Sequence, residues 1–394
     1  MQSTVAYLTN GQLFLHNGEA QPREVQSAFA QQVMERQARH NAVHGWRSQS
    51  GVWGAMGFMP PELAAWEQGQ QQRTPVQFKS VTAGDEAGHL YYILGVGDMG
   101  GLFHYTAADN VERRLMHRNG FLARDLSRHT QSGSIAVAVY KEDGSSSIQV
   151  GENDGRFLKD VTVGDAVDEC PAWVPGEGRR IVYQSAGIGR NEHGFAMGLA
   201  PYRIELIDLD QQSVDVILED QHHDLLQPKL LADNTLYFIR RPYEPLGPKP
   251  ADPITVLKDI VLFPFRLARA VFHFLDFFSV MFSGKPLHTA GGPQPRITNQ
   301  KYMMVWGRMI DTKRAMQKSQ KDKTTGLVPK EWQLVRRAAD GNETVLAEKV
   351  LSFDVHADGT VISTDGHVVN RRSPGGETAQ LFRDQFIEKV TAVT

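Results

Sequence analysis

Short apolar runs alternate with turn residues over most of the chain, which is typical of an all-β protein. From about residue 75 onward, runs rich in Val, Ile, Tyr and Phe are separated by Gly, Asp and Asn turns. The predicted strands include His89–Val96, Gly101–Thr106, Val111–His117, Phe121–Leu126, Ser134–Tyr140, Ser147–Val150 and Phe157–Val161. This regular spacing predicts a sandwich, a barrel or a propeller.

The N-terminal residues predict a hairpin followed by a helix. Val5–Thr9 and Gln12–His16 flank Asn10-Gly11, a pair that suits the two positive φ angles of a type I′ turn. In residues 26–47 the apolar positions recur at helical spacing, at Phe29, Val33, Met34 and Ala38. The Gly- and Gln-rich residues that follow, 48–74, are expected to be irregular.

A repeated sequence pattern favours a propeller over a sandwich or a barrel. The segment Ser147–Ser185 combines an Asp-Gly turn, a Pro-x-Trp-x-Pro stretch and an apolar strand. It resembles the TolB-type β-propeller repeat, also called PD40, although its second turn is one residue longer. The matching residues are Asn153-Asp154-Gly155, Asp168, Pro171, Trp173, Pro175, Gly178 and Ile181–Ser185. Weaker copies follow at residues 203–240 and 333–363. The resemblance implies a propeller and says almost nothing about function.

Grouping the strands in fours predicts a single domain, 1–394, that is a six-bladed β-propeller. Five blades take residues 75–116, 121–161, 168–217, 225–240 with 332–347, and 350–382. The sixth joins the C-terminal strand, residues 386–393, to three strands within residues 4–25. This clasp of N- and C-terminal strands closes the ring and removes open sheet edges. A seven-bladed propeller is the alternative, if one of the insertions contains a further blade.

Two largely helical insertions interrupt the ring, at residues 26–74 and 241–331. The second begins with five prolines, and Asp252-Pro253 suits the start of a helix over residues 254–282. Pro264 is expected to kink or divide that helix. Further along, residues 299–323 carry Met and Trp among Lys and Arg, which fits either a second amphipathic helix or a strand.

The Phe-rich segment, residues 254–282, carries its polar residues on one helical stripe. That stripe holds Asp259, Arg266, Arg269, His273, Asp276 and Ser279. The candidate membrane- or partner-binding residues on this helix are Leu262, Phe263, Phe265, Arg266, Arg269, Phe272, Phe274, Phe277, Phe278 and Phe282.

Charge is distributed unevenly around this segment. Residues 254–330 contain thirteen Lys or Arg and four Asp, a net charge of +9, so the rest of the chain carries −12 of the total of −3. A basic segment of this kind favours an anionic surface, either a membrane or a nucleic acid. We expect a membrane and not a nucleic acid.

Three placements of the Phe-rich helix are considered. A transmembrane span is disfavoured because each mid-helix charge costs about 2.5–3.5 kcal/mol. It also conflicts with topology, because both ends of the insertion belong to one blade. An in-plane amphipathic anchor fits the wide apolar face and the basic surroundings. The third placement is against the propeller flank or a partner chain, including a second copy of this chain.

A second set of candidates lies in the loops between blades. Residues 219–224 read EDQHHD, and an acidic loop lies in the equivalent place one blade earlier. The candidate channel-mouth residues are Asp165, Asp168, Glu169, Asp220, His222, His223 and Asp224. Their spacing matches no common metal site, so no metal and no cofactor is predicted. The alternative is that they are solvated turn residues.

The remaining sequence motifs do not predict a catalytic or nucleotide-binding site. The G-x-G-x-x-G match at residues 95–100 lies between two strands and opens no helix, so it predicts a turn. Cys170 is the only cysteine, and its acidic neighbours disfavour a reactive thiolate. The sequence contains no G-x-S-x-G, H-E-x-x-H or P-loop motif.

These observations predict a non-enzymatic propeller scaffold that binds a protein partner. The N-terminus lacks the features of a secretory signal, so the expected location is cytoplasmic, peripheral at the inner face of the membrane. The basic insertion would dock the ring there or within an assembly. The alternative is a propeller enzyme, of hydrolase or lactonase type, with a metal or an acidic site in the central channel.

Overall fold

The computed structural model is built almost entirely from β-strands. The residues that it describes are 4–18, 21–36, 39, 76–97, 99–194, 196–245, 302–305, 308–311 and 326–393. The Phe-rich segment, with all ten of its candidate binding residues, lies outside the described residues, as do most of the two insertions.

The two chain ends share one sheet, as predicted. This clasp blade has the strand order β27-β1-β2-β3. Its strands are β1 (Thr4–Thr9), β2 (Gln12–His16), β3 (Arg23–Val25) and β27 (Ile387–Val393). Asn10 and Gly11 both have positive φ, 51° and 73°, which confirms the predicted two-residue hairpin turn.

The next three blades follow in chain order. The first contains β4 (Val76–Ala83), β5 (His89–Val96), β6 (Met99–Thr106) and β7 (Val111–Asn119). The second contains β8 (Ala123–Arg128), β9 (Ile135–Tyr140), β10 (Ser146–Gly151) and β11 (Lys159–Asp160). The third contains β12 (Ala166–Trp173), β13 (Arg180–Arg190), β15 (Arg203–Asp208) and β16 (Ser213–Leu218), with β14 (Ala196–Leu199) as an added strand beside β13.

The fourth and fifth blades complete the ring. The fourth contains β17 (His223–Leu230), β18 (Leu236–Pro242), β21 (Gln333–Arg337) and β22 (Glu343–Glu348). The fifth contains β23 (Ser352–Val355), β24 (Val361–Thr364), β25 (Val368–Arg372) and β26 (Thr378–Arg383). A separate hairpin, β19 (Tyr302–Val305) and β20 (Arg308–Asp311), occupies the region whose helix or strand character the sequence left open.

Six four-stranded blades are therefore present in the described residues, in the order that the sequence predicted. Their innermost strands contact one another in a closed cycle, β27 to β4, β8, β12, β17, β23 and back to β27. A parallel contact between Ser146 and Val167 also joins the second and third blades. Apolar residues fill the spaces between blades, and Trp173 and Trp332 are both buried there.

The two faces of the ring differ. On one face the innermost strand of each of the five consecutive blades turns into the next strand through a short loop. The other face carries the starts of the innermost strands, and we call it the insertion face. Pro242, where the second insertion leaves, pairs with His223 at the start of β17. Gln333, where that insertion returns, pairs with Arg240 beside it.

The described part of the first insertion confirms a helix, here α1, over residues 28–36. Ser27 caps it, because its Oγ accepts the Ala30 N–H at 3.1 Å. Glu112 of β7 then accepts hydrogen bonds from the Ser27 hydroxyl at 2.5 Å, the Phe29 N–H at 2.9 Å and the Tyr92 hydroxyl at 2.5 Å. One carboxylate therefore fixes the start of the helix to the first blade.

We predict that Glu112→Ala lowers the free energy of unfolding by about 1.5–3 kcal/mol, the range for hydrogen bonds to a charged group. The substitution leaves the hydroxyl of Tyr92, a fully buried residue, without this acceptor. Urea unfolding measures the change, and hydrogen exchange over residues 28–36 shows whether the helix is released. Asp109→Ala, an exposed acid in the preceding turn, is the control and should change stability by less than about 0.5 kcal/mol.

Candidate functional site on the propeller axis

A narrow polar cavity lies on the axis of the ring, with a volume of about 40 Å³. That is room for a few water molecules. All six innermost strands contribute to its wall. Its lining residues are Val81, Thr82, Asp125, Leu126, Cys170, Pro171, Gln227, Pro228, Lys229, Phe353, Asp354, Lys389, Val390 and Thr391.

The first of two ion pairs in this wall joins Lys389 to Asp125 at 3.0 Å. The Lys389 ammonium also donates to the Ser80 hydroxyl at 3.0 Å, so it holds strands β27, β4 and β8 together. Asp125 accepts a further hydrogen bond from the Cys170 N–H of β12 at 3.4 Å. Burial lowers the pKa of Lys389, but Asp125 and the other nearby acidic groups together outweigh burial, and the net pKa is raised.

The second ion pair joins Lys229 of β17 to Asp354 of β23 at 3.0 Å. Asp354 also accepts the Ala392 N–H of β27 at 3.0 Å. The side chain of Gln227 continues the network, because its amide donates to the Leu351 carbonyl at 3.0 Å. The two carboxylates, Asp125 and Asp354, thereby connect all six innermost strands.

β-Bulges shape the same strands. Register shifts leave Lys79, Arg124 and Glu388 without a paired residue in β4, β8 and β27. Equivalent shifts in β12 and β17 fall at Cys170-Pro171 and Gln227-Pro228, where Cys170 and Gln227 both have a φ of 52°. A bulge adds one residue and redirects its side chain, which is why bulges are frequent at barrel rims and binding sites.

The predicted channel-mouth residues lie at the starts of β12 and β17, on the insertion face. Asp165 makes an exposed ion pair with Arg190 at 2.6 Å. Asp220 accepts hydrogen bonds from the His222 N–H at 2.7 Å and from the His223 ring at 2.9 Å, which is a local turn. None of the seven candidates belongs to the wall of the axial cavity.

Three of those candidates are buried. Asp168 accepts the Ser185 hydroxyl at 2.7 Å. Glu169 accepts hydrogen bonds from the Tyr140 hydroxyl and from the Gln184 amide at 3.0 Å. Burial raises the pKa of both carboxyls, and Asp125 adds to the rise for Glu169. These two residues are held by the third and second blades and are not free in solvent.

Asp224, the third buried candidate, anchors the base of the second insertion. It makes a buried ion pair with Arg241 at 2.8 Å and accepts the Tyr202 N–H at 3.1 Å. The Arg241 guanidinium lies over the Trp332 ring, 4.8 Å from its centre. Because Arg241 is the first residue of the insertion and Trp332 follows its last, this contact joins the two ends of the inserted segment.

Cys170 faces the axial cavity but is poorly suited to nucleophilic chemistry. Burial and the Asp125 carboxylate raise the pKa of its thiol well above the usual value. Among the described residues there is no group of three or more His, Cys, Asp or Glu side chains that could hold a metal ion. In the same part of the chain, no helix is both long enough and apolar enough to cross a membrane.

Sequence reasoning missed the residues of the axis itself. Asp125, Lys389, Lys229 and Asp354 lie far apart in the chain and in no recognisable motif. The available signal was a repeated position, because five of the six innermost strands place a polar side chain in the cavity wall and β12 places Cys170 there. The two X-Pro bulges, at Pro171 and Pro228, mark that point in β12 and β17.

Comparisons with known proteins show the fold alone. No protein-family model matches the chain, and no curated protein matches it. Among solved structures, TolB from Acinetobacter baumannii matches with a TM-score of 0.50 and 11% identity over 99% of this chain. The match covers 66% of the TolB chain, just under two thirds of its length. A nidogen/laminin complex matches with a TM-score of 0.51 and 8% identity, covering 100% of this chain and 98% of the other. The chain thus has a TolB-like β-propeller fold, as its repeat suggested.

We predict that Asp125→Ala lowers the free energy of unfolding by about 3–5 kcal/mol, because it leaves the Lys389 ammonium largely buried without its carboxylate. The double variant Asp125→Leu with Lys389→Met should cost less than the sum of the single changes. Urea unfolding of Asp125→Ala, Asp125→Leu, Lys389→Met and the double variant tests this. Glu35→Ala, which breaks the exposed pair with Arg39, should cost no more than about 0.5 kcal/mol. Additive effects of Asp125 and Lys389 would contradict the proposed coupling.

The raised pKa of Glu169 predicts how the stability of the fold changes with pH. Its pKa is raised above the ordinary value of 4.5, so the folded state binds more protons than the unfolded state in the window just above that value. Stability should therefore fall as pH rises from 4.5 through the folded-state pKa of Glu169. In Glu169→Gln this part of the decline should disappear from urea unfolding measured across the window. An unchanged pH dependence would show that Glu169 does not titrate as described.

Proposed function

We propose that this chain is a non-enzymatic propeller scaffold that docks on an anionic membrane surface through the Phe-rich segment of its second insertion. The observation that carries the proposal is the anchoring of that insertion on one face of the ring. Asp224, Arg241 and Trp332 join its two ends by a buried ion pair and a cation–π contact. These contacts fix the two ends of the second insertion on the insertion face of the ring.

Charge supports the same proposal. The inserted region, residues 254–330, carries a net charge of +9 in a chain whose total is −3. Each Lys or Arg near an anionic membrane surface contributes about 1 kcal/mol of attraction. The Phe-rich segment adds the apolar area that an interfacial helix needs. The ring would then hold a protein partner at the membrane or within an assembly.

Flotation with lipid vesicles tests the proposal. The full chain should float with vesicles that contain phosphatidylglycerol and much less with vesicles of phosphatidylcholine alone. The variant with Arg266→Glu and Arg269→Glu should lose flotation, because both substitutions invert charges on the polar stripe. The matched control, with Arg156→Glu and Arg383→Glu, makes the same charge change at two exposed positions of the ring and should float as the wild type does.

The apolar face needs a separate variant. Phe277→Ser with Phe278→Ser leaves the charge unchanged and should also reduce flotation, because the anchor depends on apolar insertion as well as on charge. Circular dichroism should show an unchanged β-sheet signal in every variant. Flotation that is equal in all variants, or absent in the wild type, would overturn membrane docking and favour a contact with the propeller flank or a partner chain.

A second candidate function is a propeller enzyme with an acidic site near the channel. The observation that favours it is the pair of buried carboxyls, Asp168 and Glu169, whose raised pKa values suit a general acid. Both already bind Ser185, Tyr140 or Gln184, which supports a structural role. Turnover of an ester or lactone panel that is lost in Glu169→Gln, with folding intact, would favour the enzyme.

A further inference from the structure

The third blade ends in an outer strand with an apolar, uncovered edge. β16 is the terminal strand of its sheet, and among the described strands none pairs with its outer edge. Two of its six residues, Val214 and Val216, are 53% and 48% exposed. Its only charged residue is Asp215. An apolar edge of this kind promotes pairing with a further strand.

The outer strands of the other five blades carry more charge at their edges. Lys or Arg occurs in β3, β7, β11 and β26, and β22 has a glutamate at each end. Such charges protect an exposed edge against pairing with another chain. β16 has no Lys or Arg, and its bulge at Ile217 leaves residues 213–216 in regular pairing with β15. A further strand therefore fits β16 better than any other outer strand of the ring.

The second blade leaves space beside the two exposed valines. Val214 lies opposite Ile207 of β15, and residues directly opposite each other occupy the same face of a sheet. Ile207 packs in the apolar cluster between the second and third blades. The second blade ends on that side in β11, a strand of only two residues. Val214 and Val216 lie beyond the part of the second blade that could cover them, which explains their exposure.

The charge around β16 is negative. Residues 206–223 contain five acidic residues and no Lys or Arg. The acidic residues are Asp208, Asp210, Asp215, Glu219 and Asp220. Asp208 lies opposite Arg180 in the sheet, whereas Asp215 and Glu219 form no ion pair with Lys or Arg in the described part of the chain. This edge therefore favours a positively charged partner strand.

The second insertion contains a hairpin that has no sheet to join. β19 and β20 pair with each other, and no other described strand pairs with either of them. A two-stranded hairpin alone is at best marginally stable in water, and a third strand or further packing is needed. Residues 301–314 contain four Lys or Arg and one Asp, a net charge of +3. The hairpin is thus a basic β element that lacks a partner strand among the described residues.

We propose that the chain forms a two-fold dimer in which the β19–β20 hairpin of each copy pairs with β16 of the other copy. The hairpin extends the sheet of the third blade, covers the edge beside Val214 and Val216, and brings positive charge to the acidic surface. A single chain leaves both elements unpaired, so the second copy supplies the strand that each one lacks. Because the exchange is reciprocal, the two contacts close the assembly at two copies. The proposal does not depend on membrane docking and uses no residue of the Phe-rich segment.

Sedimentation velocity of the full chain at increasing protein concentration tests the proposal. The wild type should form a dimer. Val214→Lys with Val216→Lys should raise its dissociation constant by about tenfold or more, because lysine at a strand edge opposes pairing. The matched control, Val111→Lys with Val345→Lys, adds the same charges at exposed valines of β7 and β22 and should form dimers as the wild type does.

A mixing experiment identifies the two elements in contact. Met304→Pro removes a backbone donor from β19 and should also weaken the dimer by about tenfold or more. Mixing it with the Val214→Lys, Val216→Lys variant should restore dimers, because each mixed pair keeps one intact hairpin and one intact β16. These dimers should be weaker than those of the wild type, since they have one contact instead of two. Circular dichroism and thermal unfolding should show an intact ring in every variant.

Several outcomes would overturn the proposal. A wild type that stays monomeric, with hydrogen-exchange protection of residues 213–218 that is lost in Met304→Pro, would assign the hairpin to β16 of its own chain. A Met304→Pro variant that dimerises as the wild type does would show that the hairpin is not in the interface. Unchanged dimerisation of the Val214→Lys, Val216→Lys variant would exclude β16, and a mixture without restored dimers would exclude the reciprocal exchange.

Discussion

Two carboxylates on the axis, Asp125 and Asp354, hold the ring together. Asp125 reaches Lys389 and the Cys170 N–H, and Asp354 reaches Lys229 and the Ala392 N–H. With Ser80 added through Lys389, these contacts involve every innermost strand. A charge placed on the axis must be paired, because both carboxylates are largely buried and an uncompensated buried ion would be costly. The pairing explains how a polar channel can lie at the centre of a stable propeller.

The axis is closed in this way, and the insertion face is the side on which we propose that the ring binds. The starts of the innermost strands, the bulged charged residues and both ends of the second insertion lie on that side. The other face carries short turns in the five consecutive blades. Asp224, Arg241 and Trp332 fix the insertion at its base, and Glu112 fixes the start of the first insertion to the first blade. The buried contacts of Asp224, Arg241 and Trp332 therefore hold the base of the second insertion on the insertion face.

Much of this fold could be predicted from local patterns. The Asn10-Gly11 turn, the apolar run of β5 and the Pro-x-Trp-x-Pro repeat are properties of contiguous residues, and each predicted its element correctly. The clasp could be predicted because counting strands in fours left one strand at the C-terminus and three at the N-terminus. Six blades followed from the same count.

The axial site could not be predicted in the same way, because its members are joined only by ring closure. Asp125 and Lys389 are 264 residues apart, and neither stands in a motif. Bulges at Lys79 and Arg124 change which face a side chain occupies, and alternation alone does not reveal them. Residues 219–224 were predicted as channel-mouth residues because acidic and His side chains are adjacent there in sequence. In the structure Asp220 belongs to a local turn, and Asp224 anchors the second insertion through Arg241.

We propose that the insertion face is the functional side of the ring. Hydrogen exchange of the full chain, with and without phosphatidylglycerol vesicles, tests it most directly. Our account predicts that protection appears in turns of the insertion face, such as Lys141–Ser145 and Asp365–His367. The turns of the opposite face, such as residues 174–179 and 231–235, should exchange as before. Protection confined to the opposite face or to the outer strands would contradict the account.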